Sequence, residues 1–124
     1  TSVTGGTLVV DGSIASSSGL TVGSGATIRG IGTLPGTIVS AGGFLAPGNA
    51  SLGTLNIDGN LTLASGSTTT IRVNGALADK VMVTGTATLS GTLQVVPQSA
   101  SFNNPYTILT ATGGRTGTFS TSTV

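Results

Sequence analysis

Between Gly53 and Leu63 apolar and polar side chains alternate: Leu55 and Ile57 against Asn56 and Asp58, then Leu61 and Leu63 against Thr62. The same pattern recurs with Ile71 and Val73 against Thr70, Arg72 and Asn74, and with Leu93 and Val95 against Gln94. On an extended chain residues two apart share a face, so each run predicts a strand with one buried side. The runs are short, about three to five residues. The predicted interior is Leu55, Ile57, Leu61, Leu63, Ile71, Val73, Val83, Leu89, Leu93 and Val95.

Glycine bounds these runs, and one phrase repeats: Gly-Thr or Gly-Asn followed by an alternation. It stands at GTLVV (6–10), GTIV (36–39), GTLNI (53–57), GNLTL (59–63), GTATL (85–89), GTLQV (91–95) and GTF (117–119), with GLTV (19–22) as a shorter form. A longer match sets TLVVDGSI (7–14) against TLNIDGNL (54–61) and aligns Asp11-Gly12 with Asp58-Gly59 as equivalent turns. The spacing is irregular, one or two phrases per about 20 residues, and repetition on that scale predicts a β-helix of roughly five or six rungs at most. Glycine supplies the positive φ that sharp corners demand. Asp-Gly is also a strong hairpin signal, and hairpins at both sites would give an antiparallel sandwich instead. With few aromatics, a narrow interior of stacked Val, Leu and Ile is the better fit.

The pattern changes after Ser65. SGSTTT (65–70) is low in complexity, NGALADKVMVTG (74–85) holds adjacent opposite charges, and PQSASFNNP (97–105) reads as a loop. YTILTATGGRTGTF (106–119) predicts two strands joined as a hairpin at Thr112-Gly113-Gly114. Phe102, Tyr106 and Phe119 cluster here and, with Ile108, are expected to seal the end, because a bare last rung exposes core and sheet edges. One domain is therefore expected, with rungs over 1–78 and a capping part over 79–124.

Composition limits the chemistry. Of 124 residues 6% are charged and 3% aromatic; there is no Cys and no His, and the net charge is +1. Arg29, Arg72, Lys80 and Arg115 are scattered, which argues against nucleic acid as a partner. No apolar run reaches the ~18 residues of a membrane helix. The start at Thr1 shows no signal peptide and reads as a cut from a longer chain. Asp11, Asp58 and Asp79 are the only carboxylates. Glycosidase chemistry needs two that converge, and the abundant serines lack a His partner. Asp79-Lys80 is expected to be a surface pair. GSGATI (23–28) lacks the lysine of a phosphate loop and reads as a turn. No catalytic, cofactor-binding or metal residue is predicted, and no cofactor. Threonine-rich outer faces suit solvent, or weak contact with sugars or matrix proteins.

LAPGNASLGTLNIDGNLTL (45–63), DKVMVTGTATLSGTLQVV (79–96) and YTILTATGGRTGTF (106–119) together resemble the C-terminal passenger region of bacterial autotransporters, the type V secreted proteins of Gram-negative envelopes. The three strings stand in the family's order and span 45–119; Ala50, between Asn49 and Ser51, departs from the family's turn. The resemblance implies a right-handed parallel β-helix with a C-terminal cap and an autochaperone role in folding the rungs upstream. It implies a cell-surface location, with a membrane barrel following Val124 in the same chain. An adhesin stalk that binds host or neighbouring-cell surfaces is the alternative. Self-association through the open end of the β-helix is a further expected contact.

Overall fold

The structure, a computed structural model, describes residues 1–48, 52–75, 77–102, 109–117, 119 and 121–123, with side chains for these except 75, 77, 97–102 and 121–123. Among the described residues it holds fifteen strands and no helix. They are β1 (Ser2–Val3), β2 (Gly6–Val9), β3 (Leu20–Val22), β4 (Ala26–Gly30), β5 (Thr33–Val39), β6 (Phe44–Pro47), β7 (Thr54–Leu63) and β8 (Thr68–Gly75). Then follow β9 (Leu77–Ala78), β10 (Lys80–Val83), β11 (Ala87–Leu89), β12 (Thr92–Phe102), β13 (Leu109–Ala111), β14 (Arg115–Gly117) and β15 (Thr121–Thr123).

Among the described residues every strand ladder except β8–β9 is parallel, and the chain winds as a β-solenoid. Each full coil visits three sides. The first side stacks the early halves of β5 and β7, then β10 and β13. The second stacks β1, β3, the late halves of β5 and β7, then β11 and β14. The third stacks β2, β4, β6, β8, β12 and β15. Coil length varies along the chain: Gly6 lies beside Ala26, 20 residues on; Thr27 beside Phe44, 17 on; Thr68 beside Thr92, 24 on; Val81 beside Leu109, 28 on.

This explains the irregular repeat. Gly53-Thr54 opens the first side, Gly36-Thr37 and Gly85-Thr86 precede the second, and Gly91-Thr92 opens the third. The Gly-Thr phrase marks corners, and a coil has three. The match of TLVVDGSI with TLNIDGNL does not survive, because β2 lies on the third side while β7 lies on the first and second. Asp11 and Asp58 therefore occupy different corners.

At Asp58-Gly59 there is no hairpin. β7 runs straight through, and Gly36 alone faces Gly59 and Asn60, since the register steps from Pro35↔Asp58 to Thr37↔Leu61. That is a β-bulge, which bends the strand without ending it. Gly59, Gly85 and Gly113 then stack on this corner. The Gly85 amide donates to the Gly59 carbonyl at 2.9 Å, and that of Gly113 to Gly85 at 2.8 Å. A Cβ on Gly59 would lie 2.9 Å from Gly36 Cα; one on Gly85 would meet Asn60 Oδ1 and lie 2.7 Å from the Gly59 carbonyl. On the turns between second and third sides, Gly25, Gly42, Gly66 and Gly91 have φ of 78°, 79°, 89° and 78°, a conformation that side chains resist.

The hairpin expected at Thr112-Gly113-Gly114 is not formed either. β13 pairs with β10 and β14 with β11, both parallel. Thr112 donates its amide to Val83 and Gly113 to Gly85, so the segment copies the corner of the coil beneath it. The carbonyls of the coil beneath pair these amides in place of a local Gly-Gly turn. Arg115 takes the position in register with buried Ala87 and is exposed at this last coil. An inward-position charge is one way to end a stack of strands. Phe119 packs against the core. Tyr106 and Ile108, expected beside it, lie outside the described residues, as does the side chain of Phe102.

Inside, like stacks on like. Leu34, Ile57 and Val83 form one column, Leu55, Val81 and Leu109 another, and Val22, Val39 and Leu63 a third. Leu55, Ile57, Leu61, Leu63, Ile71, Val73, Val83 and Leu89 are buried as predicted. Leu93 and Val95 are only half-buried; on the third side β15 alone lies beyond their strand. Thr69 interrupts the column between Leu45 and Leu93, and its buried hydroxyl has no partner among the described residues. Truncation of Ile57 to Ala is expected to cost about 2–5 kcal/mol in urea unfolding. Thr69→Val, which keeps the shape and removes the unpaired hydroxyl, is expected to raise stability by about 1 kcal/mol; a loss there would show that the hydroxyl is satisfied in solution.

Candidate functional site

The residue types that could carry chemistry are dispersed. Asp11 sits after β2 and accepts a hydrogen bond from the Ile31 amide at 3.4 Å. Asp58 is exposed on the bulge of β7 and accepts from Thr84 Oγ1 at 3.4 Å. That hydroxyl also accepts from the Gly59 amide at 2.9 Å. Each carboxylate therefore joins its turn to the next coil. Among the described residues no three His, Cys, Asp or Glu side chains form a group able to hold a metal.

Asp79 differs from the expectation of a surface pair with Lys80. It is fully buried, and its partner is Arg72. The cause lies in the antiparallel ladder of β8 and β9, where Val73 faces Ala78 and Asn74 faces Leu77. That register sets Arg72 opposite Asp79, and the Asp79 amide donates to the Arg72 carbonyl at 2.9 Å. The Arg72 guanidinium straddles the carboxylate, Nε on Oδ2 at 2.8 Å and Nη2 on Oδ1 at 3.2 Å. The Arg72 amide adds a bond to Oδ2 at 2.9 Å, and the Gly53 amide one to Oδ1 at 3.0 Å.

Four donors on two carboxylate oxygens fill its acceptor capacity. The forked guanidinium–carboxylate geometry is the strong form of the charge-assisted bond. A carboxylate so occupied has no lone pair left for a substrate proton. What the cluster does is mechanical. Gly53 begins one coil and Asp79 ends it, and the Lys80 amide donates to the Gly53 carbonyl at 3.0 Å beside them. The carboxylate thus clips the coil's entry to its exit, at the place where the β8–β9 hairpin leaves the winding path. The signal was legible: Arg72 and Asp79 are equidistant from the centre of Asn74-Gly75-Ala76-Leu77, and Gly at the first central position is a two-residue hairpin signal.

No protein-family model matches the chain. Over 87 residues it is 38% identical to the adhesin BmaC autotransporter of Brucella suis biovar 1 (strain 1330), a match covering 64% of this chain and 2% of that protein. The resemblance to autotransporters drawn from residues 45–119 therefore holds. The similarity and the parallel solenoid together agree with a passenger region. The chain spans about 2% of the length of the relative it matches.

Removing one member of a buried ion pair strands the other, at a cost of about 3–5 kcal/mol. Asp79→Ala is expected to lose that much in urea unfolding, whereas Lys80→Ala should stay within about 0.5 kcal/mol of the parent. Equal effects would return Asp79 to the surface pair.

Proposed function

We propose that this chain is a non-enzymatic structural and folding module of an autotransporter passenger, displayed on the surface of a Gram-negative bacterium. In this reading residues 79–124 cap the β-helix and the rungs over 1–78 pass its order upstream. The observation that carries it is the three-sided parallel stack, in which each coil is paired strand by strand on the coil before it. An open parallel edge is a template for the next coil. Parallel pairing is slow because loop closure comes before any contact gain, and a folded template removes that delay. Folding outside the cell also opposes return of the chain through the membrane.

The partners of this role belong to the same polypeptide: the passenger rungs upstream and an outer-membrane barrel after Val124. The chain's own carboxylates suit scaffolding, since Asp79 is saturated by donors and Asp11 and Asp58 serve separate corners. A second reading, contact with host or neighbouring-cell surfaces, draws on the printed description of the relative as an adhesin.

Deletion of residues 79–119 from the full-length protein in its bacterium tests the first reading. The expected result is less passenger at the surface and faster proteolysis of what remains. Unchanged display with unchanged protease resistance would contradict a folding role. Rescue of a truncated passenger by the chain added in trans favours that role, and adhesion by the chain alone favours the second.

A further inference from the structure

The outer face of the second side carries one residue per strand: Ser2, Thr21, Ile38, Thr62, Thr88 and Thr116 in register. At the C-terminal end the ladder bonds to itself, Thr116 Oγ1 to Thr88 Oγ1 at 3.4 Å. Nearer the N-terminus it runs into a groove of about 390 Å³, lined by Ser18, Thr21, Gly36, Ile38, Asn60 and Thr62 among others. The groove lies at a step in coil length: Leu20 precedes its neighbour Thr37 by 17 residues, and Thr37 precedes Leu61 by 24.

The hydroxyls of Ser18, Thr21 and Thr62 have no protein partner among the described residues. Asn60 Oδ1 accepts from the Thr86 amide at 2.9 Å and from its hydroxyl at 3.3 Å, which leaves the Asn60 Nδ2 donor unpaired. No lining residue is charged. Ile38, 48% exposed, sets an apolar surface among these groups.

We propose that this groove binds a neutral glycan chain. Hydroxyls and a carboxamide donate and accept, as sugar hydroxyls do. The exposed Ile38 suits the C–H face of a sugar ring. Thr88 continues the ladder, so a longer chain can run on along the axis. An uncharged lining gives an acidic polymer no counter-charge. A second copy of this chain would need about 800 Å² per partner and a buried aromatic or Arg anchor, and the groove lining has neither residue type. The site is independent of the folding role, which rests on other residues.

The test is a titration of the isotope-labelled 124-residue chain with cellohexaose and with chitohexaose, read by amide shifts, beside a heparin hexasaccharide. Saturable shifts grouped around Gly19, Thr21, Ile38 and Thr62 are expected with at least one neutral sugar and not with heparin. Thr21→Val and Thr62→Val, which preserve side-chain shape, should each weaken binding by about three- to tenfold, with the rest of the spectrum unmoved. No saturable shift with either neutral sugar overturns the proposal. So does tighter binding of heparin, or shifts at these amides that follow protein concentration alone, which would mark a second copy as the occupant. Loss of display in the deletion described above would leave this titration unaffected.

Discussion

The fold depends on how closely one coil's backbone approaches the next at its corners. Parallel strands sit about 4.8 Å apart, and a corner turns the peptide so that its Cα faces along the solenoid axis. At Gly36, Gly59, Gly85 and Gly113 the coils meet at this distance through bare backbone, joined by amide-to-carbonyl bonds from Gly85 to Gly59 and from Gly113 to Gly85. A side chain at Gly59, Gly85 or Gly113 would push apart the strands on both flanks. Those strands carry the columns of Leu, Ile and Val that bury the interior, so corner spacing and core packing are one constraint.

The same constraint accounts for how the coils differ. Each corner copies the one below it, while the lengths between corners are free to vary, from 17 residues in one coil to 28 in another. The β8–β9 hairpin, which leaves the winding path, would loosen the coil that contains it. The buried Asp79 carboxylate answers this by fixing the hairpin's base to Gly53, at the coil's other end. A scaffold built this way commits its carboxylates to joining corners and coil ends. On its surface uncharged hydroxyls and one exposed Ile line a groove where the coil length steps.

Much of this was legible in the sequence. Alternation located the buried faces of β7, β8, β10 and β11 because a short strand in a solenoid has one inward side. The parallel β-helix followed from glycine-bounded repeats and few aromatics. The hairpin expected at Thr112-Gly113-Gly114 and the rival hairpin at Asp58-Gly59, set aside in favour of the β-helix, are both locally sound, and hydrogen bonds from the neighbouring coil, which no local motif encodes, override both. The converse occurred at Asn74-Gly75, where a true hairpin went unread and hid the Arg72–Asp79 pair. The apparent equivalence of Asp11 and Asp58 failed because corners of different sides use similar residues.

Equilibrium unfolding of Gly85→Ala beside Gly36→Ala tests the central claim most directly. A Cβ at Gly85 would meet the Gly59 carbonyl at 2.7 Å, whereas one at Gly36 has its nearest neighbour, the Asn60 carbonyl, at 3.6 Å. If corner contact sets the coil spacing, Gly85→Ala loses about 1–3 kcal/mol or more, and Gly36→Ala is neutral or gains a few tenths of a kcal/mol. Equal stability of the two variants would contradict the account.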